Sequence, residues 1–173
     1  MVSHKTFDPK PTLERLLTPA LAQHGFVWQK GRLSWKRAFG DETVRCAIKF
    51  WQWPWDEFFG SSFCVELTGS WPGDSPSSPE RSRITHHLSA RELAAMQRCY
   101  RSIQKELSMP PDSWFVGRED LRGYYERQLT PVTLCNRGDR FWPFREPEHV
   151  ERWARVLAPI LPAVSKRFVR RAR

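Results

Sequence analysis

Apolar positions change their period along this chain, and each change marks an element. Over residues 11–24, Leu13, Leu16, Leu17, Ala20 and Leu21 recur every three or four positions with Glu14 and Arg15 turned away, which predicts an amphipathic helix. Thr12 suits its N-cap and Gly25 its end, while Pro19 removes a backbone donor and predicts a kink or short break at Thr18.

From Phe26 the period becomes two. Residues 26–30 and 33–39 flank Gly31-Arg32 and predict a hairpin, because glycine supplies the positive φ of a tight turn. After Gly40-Asp41-Glu42, residues 43–51 set Val44, Cys46, Ile48 and Phe50 on one face and Arg45, Ala47, Lys49 and Trp51 on the other. Residues 62–70 repeat the pattern, with Phe63, Val65 and Leu67 against Cys64, Glu66 and Thr68. Four sequential strands with short turns predict an antiparallel meander, one face packed by helices and one wet.

Residues 71–83 read as an exposed connector rich in Pro, Ser and Gly. Ser89-Ala90-Arg91-Glu92 is a capping-box pattern opening a helix whose inner stripe is Leu93, Met96, Tyr100, Ile103 and Leu107, stopped by Met109-Pro110-Pro111. Further on, residues 120–129 suggest a short helix around Gly123, and residues 132–135 a strand before the turn Asn136-Arg137-Gly138-Asp139. Glu146-Pro147-Glu148 opens a last helix with an apolar face from Val150 to Phe168, which Pro159 and Pro162 should bend or restart. The expected fold is α+β: an antiparallel meander sheet of four to five strands with about three helices packed mainly on one face. It forms a single domain over residues 1–173, with an N-terminal arm at 1–10 and a basic tail at 166–173.

Composition adds chemistry to this outline. With 173 residues, 40% of them hydrophobic and 13% aromatic, the chain can build a core without metals or staples. No apolar run approaches membrane-spanning length and no signal-peptide core opens the chain, so a cytoplasmic location without membrane contact is expected. Cys46, Cys64, Cys99 and Cys135 lack a C-x-x-C spacing and read as free thiols. The net charge is +9, and 21 Arg stand against 7 Lys. A GC-rich coding sequence explains such a bias; so does a surface for nucleic acid or an acidic protein, since the guanidinium fork fits phosphate and carboxylate.

The helix ending at His24-Gly25-Phe26, the strand Trp35-Lys36-Arg37, the segment Phe63-Cys64-Val65-Glu66-Leu67 and the aromatic run Phe141-Trp142-Pro143-Phe144 before a closing helix resemble a bacterial family of domains of unknown function. The resemblance covers about the N-terminal half and the closing helix, and its motifs are structural. It implies the fold, transfers no catalytic residue, and through members that resemble immunity or defence proteins implies a protein partner as the alternative.

Trp51, Trp53 and Trp55 alternate, so an extended chain puts them on one side, with Arg37, Arg45 and Lys49 on neighbouring positions. Stacking rings beside cations is what single-stranded nucleic acid requires, whereas the bland alternative buries the rings under another element. The basic tail contributes Lys166, Arg167, Arg170 and Arg171 as a second candidate for phosphate contacts, or as a solvated helix end. His86-His87 would point to opposite faces of a strand and so not share a metal. Cys46 and Cys64 are candidate cross-strand neighbours. Asp56, Glu57, Glu66, Glu119, Asp120 and Asp139 with Lys49 are the raw material for a metal-dependent nuclease, the third reading, but no spacing demands it. No catalytic set, metal site or cofactor motif is expected, and oligomeric state is left open. The leading expectation is a non-catalytic basic binding module for nucleic acid.

Overall fold

In the computed structural model, which describes residues 7–51, 55–71, 79–130, 132–134 and 141–171, five strands follow one another as an antiparallel meander. These are β1 (Val27–Trp28), β2 (Ser34–Phe39), β3 (Glu42–Phe50), β4 (Ser61–Ser70) and β5 (Glu80–Arg83). A sixth, β6 (Trp142–Phe144), pairs antiparallel with the opposite end of β4. The sheet therefore has one strand more than the expected upper bound.

The two unforeseen strands lack the alternation that betrays a strand in sequence. Glu80-Arg81-Ser82-Arg83, within the segment expected to be a connector, has no apolar residue, and it forms an edge whose charges discourage further pairing. β6 is only three residues long and carries Pro143, which an edge position tolerates. Residues 132–134, by contrast, adopt no strand; Cys135 and the turn 136–139 lie outside the described residues. The first hairpin is also shorter than its pattern suggests, because β1 spans two residues and residues 29–33 loop through Gly31 at φ 76°.

Four helices complete the fold: α1 (Lys10–Ala22), α2 (Ala90–Gln104), α3 (Glu119–Leu129) and α4 (Pro147–Arg171). Thr12 lies inside α1 rather than capping it, and no break occurs at Thr18. Pro19 faces solvent, where water can satisfy the carbonyl it leaves unpaired, while Leu13, Leu17 and Leu21 are fully buried on the other side. The same balance keeps α4 continuous through Pro159 and Pro162. Val150, Trp153, Leu157, Leu161, Val164 and Phe168 are all fully buried, and at roughly 1.5–3 kcal/mol each they outweigh two proline interruptions of about 3 kcal/mol.

The capping box does form: the Glu92 N–H donates to Ser89 Oγ at 3.4 Å and the Ser89 N–H to Glu92 Oε2 at 2.7 Å. Helices α1, α2 and α4 share one core with the sheet face of Trp35, Val44, Cys46, Ile48, Phe63, Val65 and Leu67. Ser165 Oγ on α4 gives its hydrogen to the Leu161 carbonyl at 2.8 Å, so the Cys46 thiol on β3 is the donor to Ser165 Oγ at 3.2 Å. Among the described residues, a smaller cluster of Phe59, Leu107, Phe115 and Tyr125 joins α3 to the β3–β4 connection. Gly60 makes the junction to β6 possible: its φ is 70°, and a Cβ there would overlap the Phe144 carbonyl.

Candidate nucleic-acid interface

The sheet register sorts side chains between the helix-covered face and its opposite. Lys36 on β2 stands directly across from Arg45 on β3, Arg45 across from Thr68 on β4, and Thr68 across from Arg81 on β5. These four form one row transverse to the strands, on the face away from the buried stripe of Val44, Cys46, Val65 and Leu67. Strands lie about 4.8 Å apart, so the row runs about 14 Å from Lys36 to Arg81. Lys36 and Arg81 are exposed and Arg45 is half-exposed.

The next row shows how the sheet treats charge elsewhere. There Ser34, Ala47, Glu66 and Arg83 are opposed in register, and Glu66 is paired with Arg83 at 3.6 Å and with Lys49 at 4.0 Å. In the first row, among the described residues, none of Lys36, Arg45 and Arg81 has a carboxylate partner. Like charges directly opposed across strands destabilise a sheet, so the Lys36–Arg45 pair costs stability that no described ion pair returns.

Thr68 adds a second anomaly at the centre of that row. Its side chain is buried, 8% of the residue being accessible, and its Oγ1 has no hydrogen-bond partner among the described residues. Ser34 Oγ, one row away, is likewise buried without a partner among the described residues.

Aromatic rings bound the far end of the face. Trp51 follows Lys49 by two positions, is 39% exposed, and meets Phe141 edge to face at 4.7 Å; the Arg83 guanidinium lies 5.7 Å from the same Phe141 ring. Phe50, one residue before Trp51, packs instead on Phe63 and Phe144. Trp51 and the two cations Arg45 and Lys49 thus stand on the sheet face assigned to them by alternation.

The remaining candidates scatter. Trp53 lies outside the described residues, and Trp55 is half-buried with its indole N–H sealed from solvent. Arg37 falls on the helix side, in register with Val44, where its guanidinium lies over Phe39 at 4.5 Å and Phe26 at 5.7 Å. Parity along β2 dictates this, since Arg37 and the fully buried Trp35 are two residues apart. The tail is not a free arm: residues 166–171 are the end of α4, and residues 172–173 lie outside the described residues. Lys166 and Arg170 are exposed, Arg171 ends the helix, and Arg167 turns inward to the Glu92 carboxylate and, through Nε at 2.6 Å, to the His87 carbonyl. Burial raises the Glu92 pKa, but these bonds from Arg167 and Ser89 outweigh it and hold the carboxyl below its ordinary range.

Other polar groupings have structural employment. His86 and His87 occupy a 3-10 turn over Ile84–His87 rather than a strand, and both rings converge on Ser82 Oγ, at 3.3 and 2.8 Å. Cys46 and Cys64 are not opposed: Cys46 faces Leu67 in register, Cys64 faces Lys49, and the two thiols point to opposite sides of the sheet. Asp56 accepts the Phe58 and Phe59 N–H groups at 2.8 and 3.0 Å and the Tyr125 hydroxyl. Asp139 lies outside the described residues, among which no three His, Cys, Asp or Glu side chains gather as a metal site would need. No described helix is long and apolar enough to cross a membrane.

Sequence pattern does not single out Lys36, Thr68, Arg81 and Arg83, because a row across strands is defined by register, which local pattern does not state. Compared with known proteins, the chain matches no family model, no curated protein and no solved structure.

Proposed function

We propose that the chain is a non-catalytic module that binds single-stranded nucleic acid on the open face of its sheet. The observation carrying this reading is the row of Lys36, Arg45 and Arg81, a line of cations from three strands with no carboxylate partner among the described residues. A polyphosphate backbone supplies the missing negative charge, and each neutralised phosphate releases counterions. Trp51 and Phe141 then offer ring faces or edges beyond Lys49, where stacking one base contributes about 1–3 kcal/mol. A cation row beside aromatic rings suits unpaired strands, whereas a duplex groove is read by an inserted helix or ribbon.

The test is a fluorescence-anisotropy titration of the full chain with labelled single-stranded oligonucleotides at several salt concentrations. Three phosphate contacts correspond to a log–log salt slope of about −2, and replacing Lys36, Arg45 and Arg81 together by alanine should flatten it towards zero. Absence of binding at every salt concentration overturns the reading. Should an acidic polypeptide such as polyglutamate bind where oligonucleotides do not, the partner is an acidic protein instead.

A further inference from the structure

We infer that Thr68, flanked by Arg45 and Arg81, is the seat of one backbone phosphodiester, the point at which the strand is anchored to the sheet. The inference rests on the nucleic-acid reading and gives it a defined contact. Three independent features converge on the same position. The register puts one guanidinium-bearing residue on each side of Thr68, each one strand spacing of about 4.8 Å away and within reach of an arginine side chain. The hydroxyl between them is buried and makes no hydrogen bond among the described residues, a state that costs the free protein stability. The carboxylate nearest in register, Glu66, is held by Arg83 and Lys49 one row away and does not neutralise the pair.

A phosphodiester fits each of these features at once. Its two unesterified oxygens accept from guanidinium forks on both sides, and one of them takes the Thr68 hydroxyl hydrogen. The hydroxyl is buried in the free protein, so seating a phosphate there requires its cover to move. The row continues from Arg45 to Lys36, so the neighbouring phosphate has a cation of its own. An internal phosphodiester, rather than a strand end, is therefore the group the seat takes.

Thr68→Val separates this role from a structural one, since valine keeps the shape and removes only the hydroxyl. The variant should melt at or above the wild-type temperature, because an unsatisfied polar group has gone, yet bind single-stranded oligonucleotide about tenfold more weakly. Thr68→Ser should restore the affinity. Ser34→Ala removes a second hydroxyl that is buried without a partner among the described residues and should leave affinity unchanged. A 5′-phosphorylated strand should bind as tightly as its 5′-hydroxyl counterpart, whereas dependence on the 5′-phosphate would overturn the assignment to an internal phosphodiester. If the wild-type chain binds oligonucleotide and Thr68→Val binds equally well, the seat is wrong while the nucleic-acid reading stands. If the wild-type chain binds none, both fall.

Discussion

Lys36 and Arg45 occupy directly opposed positions on β2 and β3, cation facing cation, on the sheet face turned away from helices α1, α2 and α4. A fold selected for stability alone would place a carboxylate at one of the two. Lys36→Glu makes that change. It should raise stability by about 0.2–1 kcal/mol, read as a higher denaturation midpoint, while lowering oligonucleotide affinity and its salt dependence. An affinity equal to wild type would show that the row does not touch the ligand.

Its place in the basic tail makes Arg167 a candidate for ligand contact, but its guanidinium ties α4 to Glu92 and the His87 carbonyl. Arg167→Ala strands that carbonyl and should cost about 1–3 kcal/mol by chemical denaturation, with oligonucleotide affinity unchanged in the folded fraction. Replacing the exposed Lys166 or Arg170 should move stability by no more than about 0.5 kcal/mol.

Acid should weaken the contact between α4 and the segment after α2. Glu106 bonds the Arg152 guanidinium and the buried His149, whose Nδ1 accepts the Arg145 N–H at 3.1 Å so that Nε2 carries the hydrogen directed at Glu106. Hydrogen bonds from Arg152 and then His149 hold the Glu106 carboxyl down to about 2. Its folded pKa lies below the unfolded value, so its contribution is present above the unfolded pKa and is lost as pH falls from about 4.3 towards 2. Glu106→Gln should reduce the slope of stability against pH across that window, as measured by urea denaturation at stepped pH; an unchanged slope would contradict the assignment.

Burial pushes the Cys46 and Cys99 thiols up to about 12, leaving almost no thiolate at neutral pH. Alkylation of the native protein followed by peptide mapping should find both unmodified, and denaturant should expose them. Rapid labelling of Cys46 in native buffer would mean that its contact with Ser165 opens.

β3 and β4 are legible in the sequence because their apolar residues alternate without interruption, and α2 because its capping box and stripe agree. β5 and β6 are not, since one has no apolar residue and the other is held by pairing with β4 rather than by any local preference. α1 and α4 run unbroken through Pro19, Pro159 and Pro162 for a related reason: a proline's cost is local, whereas the burial that overrides it comes from residues distant in the chain. At the candidate interface, alternation along β3 is enough to put Arg45, Lys49 and Trp51 on a common face. Arg37 does not join them, because its neighbour Trp35 is drawn into the core and takes that side of β2 with it.

Sequence by itself determined the α+β class, the meander, the strongly cationic balance and the face on which each β3 residue lies, because these follow from composition and from period along one segment. Tertiary structure alone decided which residues of different strands stand opposite one another. Register depends on how the apolar faces pack together, and only through it do Lys36, Arg45, Thr68 and Arg81, far apart in the chain, become neighbours.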